Sequence, residues 1–442
     1  MNSHSANQAI YRFIFLLVLL KLRAGYDLAY AQPNQVIAIK ARRLFDSQLG
    51  QVISGQKIIL IEKGIISDIG ADIAIPKQAQ VIDLTGFTVL PGLIESHSHL
   101  LMAHPGDEDN TLTVTKSVAL EGDALRALRG AARARSFLEA GYTTVRDLGN
   151  SGKFADVALK KAIAEGSIVG PRLYVSGPGL APEGGQAPGI LPAHQHLIEG
   201  EYRIIRSVDD ARMAVREHIY QGVDLIKIYA NGSPNRLHLS VAEMKVICEE
   251  AHFYGLKVTA HATTDLAIHR ALQAGVDAIE HGYVVSDSTL ALMKSRQVIL
   301  VPTDMDRLLS RKQVEKLTMK LSDTQLNQLM EPYHNRLQRA HRLGVMIAAG
   351  SDMYMDLGLP RGEAAKRVLF AYQEGGLSAG FILQAATYYG ARLLGEEKLG
   401  VVKKGAWADL IAIEGNPLDD LTHLEKVRFV MKEGVIYKSI TK

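Results

Sequence analysis

Histidine, lysine and aspartate side chains recur at the ends of apolar, strand-like runs in this 442-residue chain. His97 and His99 close the first of these runs. Residues two apart on a strand point to the same face, so both imidazoles can reach one ion. The residues at or near the ends of later runs are Lys227, His261, His281 and Asp352. Imidazole nitrogen and carboxylate oxygen are common ligands of divalent metals, so the pattern predicts a metal site.

Lys227 is the most informative member of this set. It lies in the run Leu-Ile-Lys-Ile-Tyr, where an unpaired ammonium group is costly. One interpretation is a salt bridge inside the protein. In the other, burial lowers the pKa of Lys227 and the amine takes up CO₂ to form a carbamate. A carbamate has two oxygens and suits two cations at the ~3.5–4 Å separation of two-metal sites.

The elements that must position these residues alternate between strand and helix. Strand-like runs cover residues 89–94, 143–148, 172–175, 224–229, 257–262, 278–281, 298–303 and 345–351, and helical patterns include 116–140, 208–221 and 241–254. Eight strand–helix units predict an α/β fold, a (β/α)₈ TIM barrel, with catalytic residues at the carboxyl ends of its strands. The Gly- and Pro-rich stretch 177–200 is interpreted as a lid or binding loop, with an inert insertion as the alternative.

Short β-branched runs separated by glycines occupy both ends of the chain. We predict that residues 32–90 and 398–442 form one small β-sandwich domain and that residues 91–397 form the barrel.

The first 31 residues have the pattern of a signal peptide. Arg12 precedes an apolar run at 13–20, and Ala29-Tyr30-Ala31 supplies a small-x-small cleavage site. The run is too short to span a bilayer. We therefore expect a periplasmic or secreted protein that starts at Gln32 and has no stable membrane span after cleavage. Charged residues between the run and the cleavage site leave an uncleaved anchor as an alternative.

Composition narrows the function classes. The chain is 47% hydrophobic and 22% charged, which is typical of a globular protein. Its single cysteine, Cys248, excludes an intrachain disulfide framework and a Cys-rich zinc site. The net charge is +3, of which the first 31 residues carry +2, and the sequence shows no concentrated basic stripe. We expect a small-molecule substrate and no nucleic-acid partner; homo-oligomerisation stays open.

Five motifs together resemble the metal-dependent amidohydrolase superfamily, which includes dihydroorotase, phosphotriesterase and the imidazolonepropionase and prolidase group. They are Pro91-Gly-Leu-Ile-Glu-Ser-His97-Ser-His99, Lys227-Ile-Tyr229, Ala260-His261-Ala262, Glu280-His281-Gly282 and Gly350-Ser351-Asp352. The tail from Gly400 to Asp409 resembles the return strand of that superfamily. The resemblance covers nearly all of the chain after the predicted signal peptide.

The resemblance implies a binuclear metal centre. His97, His99, Lys227 and Asp352 would hold one ion, and His261 and His281 the second, bridged by Lys227 as N6-carboxylysine. A hydroxide between the two ions would be the nucleophile, and Asp352 would orient it, take its proton and deliver that proton to the leaving amine. Two zinc ions fit these ligands best, with manganese or cobalt as alternatives.

The Lys-x-Tyr spacing, together with Thr143-Thr-Val-Arg146-Asp147, resembles the Xaa-Pro dipeptidase branch. By this resemblance Tyr229 donates to the oxyanion and contacts substrate. Additional hypotheses for substrate contacts are His104, Arg146 and His196. The chain departs from the usual pattern at Glu95, where an aspartate is usual, and at Gln186, where many relatives have a histidine.

The sequence thus predicts a metal-dependent hydrolase that cleaves an amide bond in a dipeptide or an N-acyl amino acid. One alternative is a lactone, ester or cyclic-amide hydrolase on the same binuclear site. Another is a metal-free scaffold without catalysis, although all six ligand residues are present. A mononuclear deaminase usually needs a glutamate near the fifth strand, where this chain has Thr263-Thr264.

Overall fold

A computed structural model describes residues 35–232 and 236–440. The predicted signal segment lies outside these residues. Within the described part of the chain, none of the helices has the length and apolar character needed to cross a membrane.

The chain is a mixed α/β protein. Its strands are β1 (Ile37–Asp46), β2 (Gln51–Glu62), β3 (Ile65–Gly70), β4 (Gln80–Asp83), β5 (Phe87–Pro91), β6 (Leu93–Ser98), β7 (Tyr142–Asp147), β8 (Arg172–Val175), β9 (Leu180–Ala181), β10 (Arg203–Ile204), β11 (Leu225–Tyr229), β12 (Lys257–Ala262), β13 (Ala278–His281), β14 (Ile299–Val301), β15 (Leu410–Glu414), β16 (Val427–Lys432) and β17 (Val435–Lys438). Its helices are α1 (Asn110–Lys116), α2 (Gly122–Glu139), α3 (Ala155–Ala164), α4 (Gln195–Glu199), α5 (Val208–Gln221), α6 (Val241–Phe253), α7 (Asp265–Ala274), α8 (Asp287–Ser295), α9 (Arg307–Lys316), α10 (Asp323–Arg342), α11 (Arg361–Glu374), α12 (Ala379–Ala385) and α13 (Tyr388–Leu394). A π-helical turn, Ser117–Glu121, joins α1 to α2, and short 3₁₀ turns lie at Pro192–His194 and Leu421–Glu425.

Strands from both ends of the chain form one sheet. Its order is β17-β16-β15-β5-β1-β2-β3, with β4 paired to β1. Hydrogen bonds thus join these strands into one continuous sheet. The sequence predicts a β-sandwich from the same two segments. β1 has a register shift between Ala41 and Arg43, and such a bulge bends a strand. Apolar side chains from both ends, including Ile39, Ile59 and Phe429, share one buried cluster.

The strands between these ends are parallel and alternate with helices. β6, β7 and β8 form one sheet, and the other has the order β10-β9-β11-β12-β13-β14. Backbone hydrogen bonds connect the two sheets directly and through the segment 346–349. These bonds are Asp224 N to Val175 O (2.8 Å), Leu300 N to Met346 O (2.9 Å) and Ser96 N to Ala349 O (2.9 Å). The arrangement brings the carboxyl ends of the strands to one end of the molecule.

Two of the predicted runs differ from the structure. The first divides at Gly92 into β5, which pairs with β15, and β6, which pairs with β7. A Cβ at Gly92 would lie 2.1 Å from the hydroxyl of Thr143, so only glycine fits at this division. The last run, 345–351, is an irregular segment with a single parallel bridge between Leu300 and Ile347.

Candidate metal centre

The six predicted ligand residues line one cavity of about 230 Å³ at the carboxyl ends of the parallel strands. They are His97, His99, Lys227, His261, His281 and Asp352. The first two come from the end of β6, the next three from β11, β12 and β13, and Asp352 from the segment that follows 346–349. Parallel strands therefore gather residues that are up to 255 positions apart in the chain, from His97 to Asp352.

Hydrogen bonds fix the imidazole rings of His97 and His99. His97 Nδ1 lies 2.7 Å from a carboxylate oxygen of Glu280, and His99 Nδ1 lies 2.8 Å from the carbonyl oxygen of Gly149. Each Nδ1 therefore carries the proton, which leaves a lone pair on each Nε2. The two Nε2 atoms are 3.3 Å apart. Two lone pairs that converge in this way suit a shared cation.

Asp352 brings a carboxylate to the same point. Its Oδ1 lies 3.1 Å from His99 Nε2 and 3.4 Å from His97 Nε2, and its Oδ2 lies 3.8 Å from His281 Nδ1. In the described chain, Oδ1 is buried and makes no hydrogen bond of good geometry. Ligand atoms of His97, His281 and Asp352 lie within 4.8 Å of one another. A buried, unsatisfied carboxylate oxygen beside ring nitrogens is the donor set of a metal site.

The backbone holds two of these residues in a strained conformation. His281 has a φ of 69° and Asp352 a φ of 52°, in the left-handed region that side chains rarely adopt. The amide of Asp352 donates to the carbonyl oxygen of His97 at 2.7 Å, which holds the two ligand segments together. Strain of this kind persists where the surrounding structure imposes it, commonly at functional sites.

Three of the four histidines are held neutral by their surroundings. Burial lowers the pKa of His97 to about 4 and of His261 to about 3, and it lowers the pKa of His281 well below its usual value. Burial acts the same way on His99, but the neighbouring Asp352 carboxylate outweighs it and raises the pKa. Neutral imidazole is the form that binds metals, so the site is prepared for cations at neutral pH.

Lys227 is buried in the wall of the cavity. Among the described residues its Nζ has no hydrogen bond or ion pair, and its recorded contact is with the ring of Tyr229, 5.5 Å away. Burial lowers the pKa of Lys227 to about 8, against the opposing charges of Glu280 and Asp352. The salt bridge considered from the sequence is therefore absent from the described part of the chain, and the neutral amine is accessible near neutral pH.

Glu280 orients the site. The sequence interpretation includes it in a motif but assigns it no role. Its carboxylate is fully buried and receives hydrogen bonds from His97, Arg146 and Thr259. Burial opposes ionisation, but Arg146 and His97 outweigh it and hold the pKa of Glu280 well below its usual value. The sequence signal that could have indicated this role is a charged residue inside the apolar run Ala-Ile-Glu-His.

Arg146, which the sequence predicts as a substrate contact, is held by partners inside the protein. It is buried, pairs with Glu280, and donates from Nε to the carbonyl oxygen of Ser96 at 2.5 Å. Its guanidinium group is occupied by these partners, and it is not among the residues described as lining the cavity. Its role is to fix Glu280, which in turn orients His97.

Glu95 connects two ligand segments from behind. Its Oε1 accepts from the amide of His97 at 3.0 Å and from the amide of Ser351 at 2.7 Å. Burial raises its pKa to about 8. The glutamate that replaces the usual aspartate thus serves as a support for the ligands.

Two predicted substrate histidines lie elsewhere. His104 is buried, accepts from the amide of Gly106 at 2.9 Å, and packs its ring 5.5 Å from Tyr354. His196 is exposed on α4 and contacts His194. Neither is among the residues described as lining the cavity, so their contact with substrate stays a prediction.

Tyr229 does line the cavity. It is buried, its ring lies 5.4 Å from that of His261, and its hydroxyl donates to the amide oxygen of Asn150 at 3.2 Å. Gln186, at the position where the sequence departs from the usual pattern, also faces the site, with its amide nitrogen 3.3 Å from His261 Nε2. The sequence interpretation did not identify several other wall residues: Met102, Asn110, Val114, Asn150, Tyr202, Tyr283 and Tyr354.

Comparison with known proteins matches this architecture. The family model for the amidohydrolase family matches residues 88–439. Ochratoxinase of Aspergillus niger is 31% identical over 424 residues, which cover 88% of this chain and 84% of that protein. The solved structure of a Xaa-Pro dipeptidase with bound methionine in its active site superposes with a TM-score of 0.79 and 29% identity, covering 92% of this chain and 100% of the other. The ochratoxinase structure gives a TM-score of 0.76 over 92% of this chain and 96% of the other, at 29% identity.

Proposed function

We propose, because this chain belongs to the amidohydrolase family, that it is a binuclear metal hydrolase that cleaves the carbon–nitrogen bond of an amide. The observation that carries the proposal is the convergence of the His97 and His99 Nε2 lone pairs, 3.3 Å apart, on the unsatisfied Oδ1 of Asp352. Buried ligand atoms so arranged repel one another or stay unsatisfied unless a cation lies between them.

Two divalent cations would occupy the centre, and Zn²⁺ fits its nitrogen and oxygen ligands best. His97, His99, Lys227 and Asp352 would hold one, and His261 and His281 the other, with Lys227 as a bridging N6-carboxylysine. The buried, unpaired Nζ of Lys227 supports this modification, since a neutral amine is the form that adds CO₂. When bound, the ions would lower the pKa of water to the neutral range and polarise the scissile carbonyl.

The chain's own groups would hold the substrate and move the proton. Burial favours the neutral acid at Asp352, but His97 and His99 beside it hold its pKa below the usual value, so the carboxylate is ionised. Asp352 would take a proton from the attacking water and deliver it to the leaving nitrogen. The hydroxyl of Tyr229 would turn from Asn150 to donate to the developing oxyanion.

The substrate class we propose is a dipeptide of the Xaa-Pro type or an N-acyl amino acid. The similarity to a Xaa-Pro dipeptidase and to ochratoxinase supports this class. We further propose that the two parallel sheets close into a (β/α)₈ barrel over 91–397, with residues 32–90 and 398–442 as the second domain. The backbone bonds that join the two sheets support closure. Export to the periplasm or medium, after cleavage behind Ala31, completes the proposal.

The test is a substrate panel with the zinc-loaded protein. We expect hydrolysis of Xaa-Pro dipeptides or N-acyl amino acids, and we expect Asp352→Asn to lower kcat by about 10²- to 10⁴-fold, the range for general acid–base catalysis. Asp107→Asn changes an exposed aspartate near the same end of the molecule and should leave kcat unchanged. Rapid turnover of lactones with none of the amides would contradict the substrate class. Full activity in Asp352→Asn would contradict the mechanism.

A further inference from the structure

A second cavity of about 280 Å³ opens beside the metal centre. Three residues, Tyr283, Asp352 and Tyr354, line both cavities. The second cavity continues from them toward the helices α9 and α10. Asp352 therefore stands at the junction, so a substrate whose scissile bond lies at Asp352 can extend a substituent into this second space.

Apolar and aromatic side chains form one part of the wall of the second cavity, and polar residues form the rest. Three methionines contribute to it, Met305, Met330 and Met355, and Leu329 lies at its exposed edge. The ring of Tyr333 packs edge-on against that of Tyr283, with centroids 5.3 Å apart. Methionine side chains are flexible and polarisable and make favourable contacts with aromatic rings. This surface therefore suits a flat, apolar group.

Several polar groups of the second cavity already have hydrogen-bond or ion-pair partners. Asp304 pairs with Arg336, which also donates to the carbonyl oxygen of His281 at 2.9 Å. Thr303 bonds to the hydroxyl of Tyr283 at 3.0 Å. His334 is half-buried, and burial lowers its pKa, which favours the neutral ring. Oδ2 of Asp304 is buried without a hydrogen-bond partner, so the wall still offers an acceptor oxygen. Among the described wall residues there is no free positive charge for an anionic substituent.

We propose that this cavity binds an aromatic substituent of the amide substrate and so selects substrates by size and polarity. An apolar cavity of about 150 Å³ is enough to hold benzene, so about 280 Å³ accommodates one ring with further substituents. The assignment rests on the proposed amide hydrolysis for its role in turnover, but occupation of the cavity is a separate, measurable property.

Occupation can be measured without catalysis. In protein labelled with ¹³C-methyl methionine, we expect benzamide to shift the methyl resonances of Met305, Met330 and Met355 through the ring current. Met213, which is 58% exposed on α5, should not respond, and acetamide should shift none of the four. Absence of benzamide shifts at the three cavity methionines, or equal shifts at Met213, would overturn the proposal. Shifts in a protein that hydrolyses no amide would instead overturn only the proposed function.

Selectivity is measured with two series of amide substrates. Each series compares a phenyl with a methyl substituent at the same position, which is on the acyl side in the first series and on the amine side in the second. The cavity should accept the substituent from one side of the amide, so we expect an effect in one of the two series. In that series, Met305→Glu and Leu329→Glu should each lower kcat/KM for the phenyl substrate by at least about tenfold, with little change for the methyl substrate. Leu329 is 47% exposed, so its variant should fold even if Met305→Glu does not. Met213→Glu is the matched control. Equal losses for both substrates, or no loss in either series, would overturn the proposal.

Discussion

At the scale of single residues, Lys227 differs most from an ordinary member of its type. It is enclosed by the strand wall, faces the cavity and has no ion pair in the described structure. Its pKa of about 8 follows mainly from burial, since the carboxylates of Glu280 and Asp352 act in the opposite direction. A lysine in water, with a pKa near 10.5, is almost entirely protonated at neutral pH. Lys227 is chemically available for CO₂ because its ammonium form is destabilised.

This difference predicts a pH dependence of carbamate formation in the metal-free protein. With a pKa of about 8, Lys227 loses its neutral amine as pH falls. At constant dissolved CO₂, the rate of ¹³CO₂ incorporation should therefore fall about tenfold for each pH unit below 7 and level off above 8. The measurement is the ¹³C carbamate resonance. Lys227→Ala should lack this resonance, whereas Lys245→Ala, at an exposed lysine on α6, should retain it. A rate that keeps rising to pH 10 would contradict the lowered pKa.

At the scale of secondary structure, helix α2 is tied to the walls of the site by a buried ion pair. Arg126 pairs with Glu201 at 2.8 Å, with both side chains almost fully buried. It also donates to the carbonyl oxygen of Asn150, whose side chain holds Tyr229. The pair therefore connects a helix on the outside to the side chain proposed to stabilise the oxyanion.

Removing one member of this pair should be costly. Arg126→Ala leaves Glu201 buried and unpaired, which predicts a loss of about 3–5 kcal/mol in the free energy of unfolding. Arg135→Ala, on the same helix, breaks an exposed pair with Glu139 and should cost only about 0.3–0.5 kcal/mol. Urea denaturation of the two variants makes the comparison. Similar losses in both would show that the buried pair has no special role.

The segment that carries Asp352 approaches strand β6 very closely. A Cβ at Gly350 would lie 2.5 Å from Val301 Cγ1 and 2.8 Å from His97 Cβ. Gly350→Ala should therefore displace His97 and lower the zinc affinity by about 10–100-fold, as changes in ligand support do. Gly86 has open space around its Cα, so Gly86→Ala should bind zinc normally. Competition with a zinc-sensitive chelator gives both affinities, and equal values would contradict this account of the contact.

Strand alternation and the positions of strand ends explain what could be predicted from the sequence. The helices over 208–221 and 241–254 agree with α5 and α6, and the six proposed ligands converge because parallel strands share one carboxyl edge. The roles of Arg146 and Glu280 could not be predicted, because they depend on which side chains of different strands meet. His104 and His196 do not line the described cavity, and their contact with substrate stays a prediction.

At the scale of the whole molecule, strands from the first and last parts of the described chain share the sheet that leads into the candidate metal centre. Arg172 on β8 contacts Asp409, which directly precedes β15, at 2.6 Å, and Glu433, which lies between β16 and β17. β15 pairs with β5 immediately before β6 begins. The strand that ends in His97 and His99 is therefore anchored by the last part of the chain. The chain thus passes from this sheet to the candidate metal centre through Gly92 and β6.

We propose that six residues from five segments hold two metal ions. Anomalous diffraction at the zinc edge, from crystals grown with zinc and bicarbonate, tests it directly. We expect two anomalous peaks ~3.5–4 Å apart. Density for a carbamate on Lys227 should lie between them, and the other five ligands should surround them: His97, His99, Asp352, His261 and His281. A single peak, or two peaks with an unmodified Lys227 turned away from both, would contradict the binuclear centre.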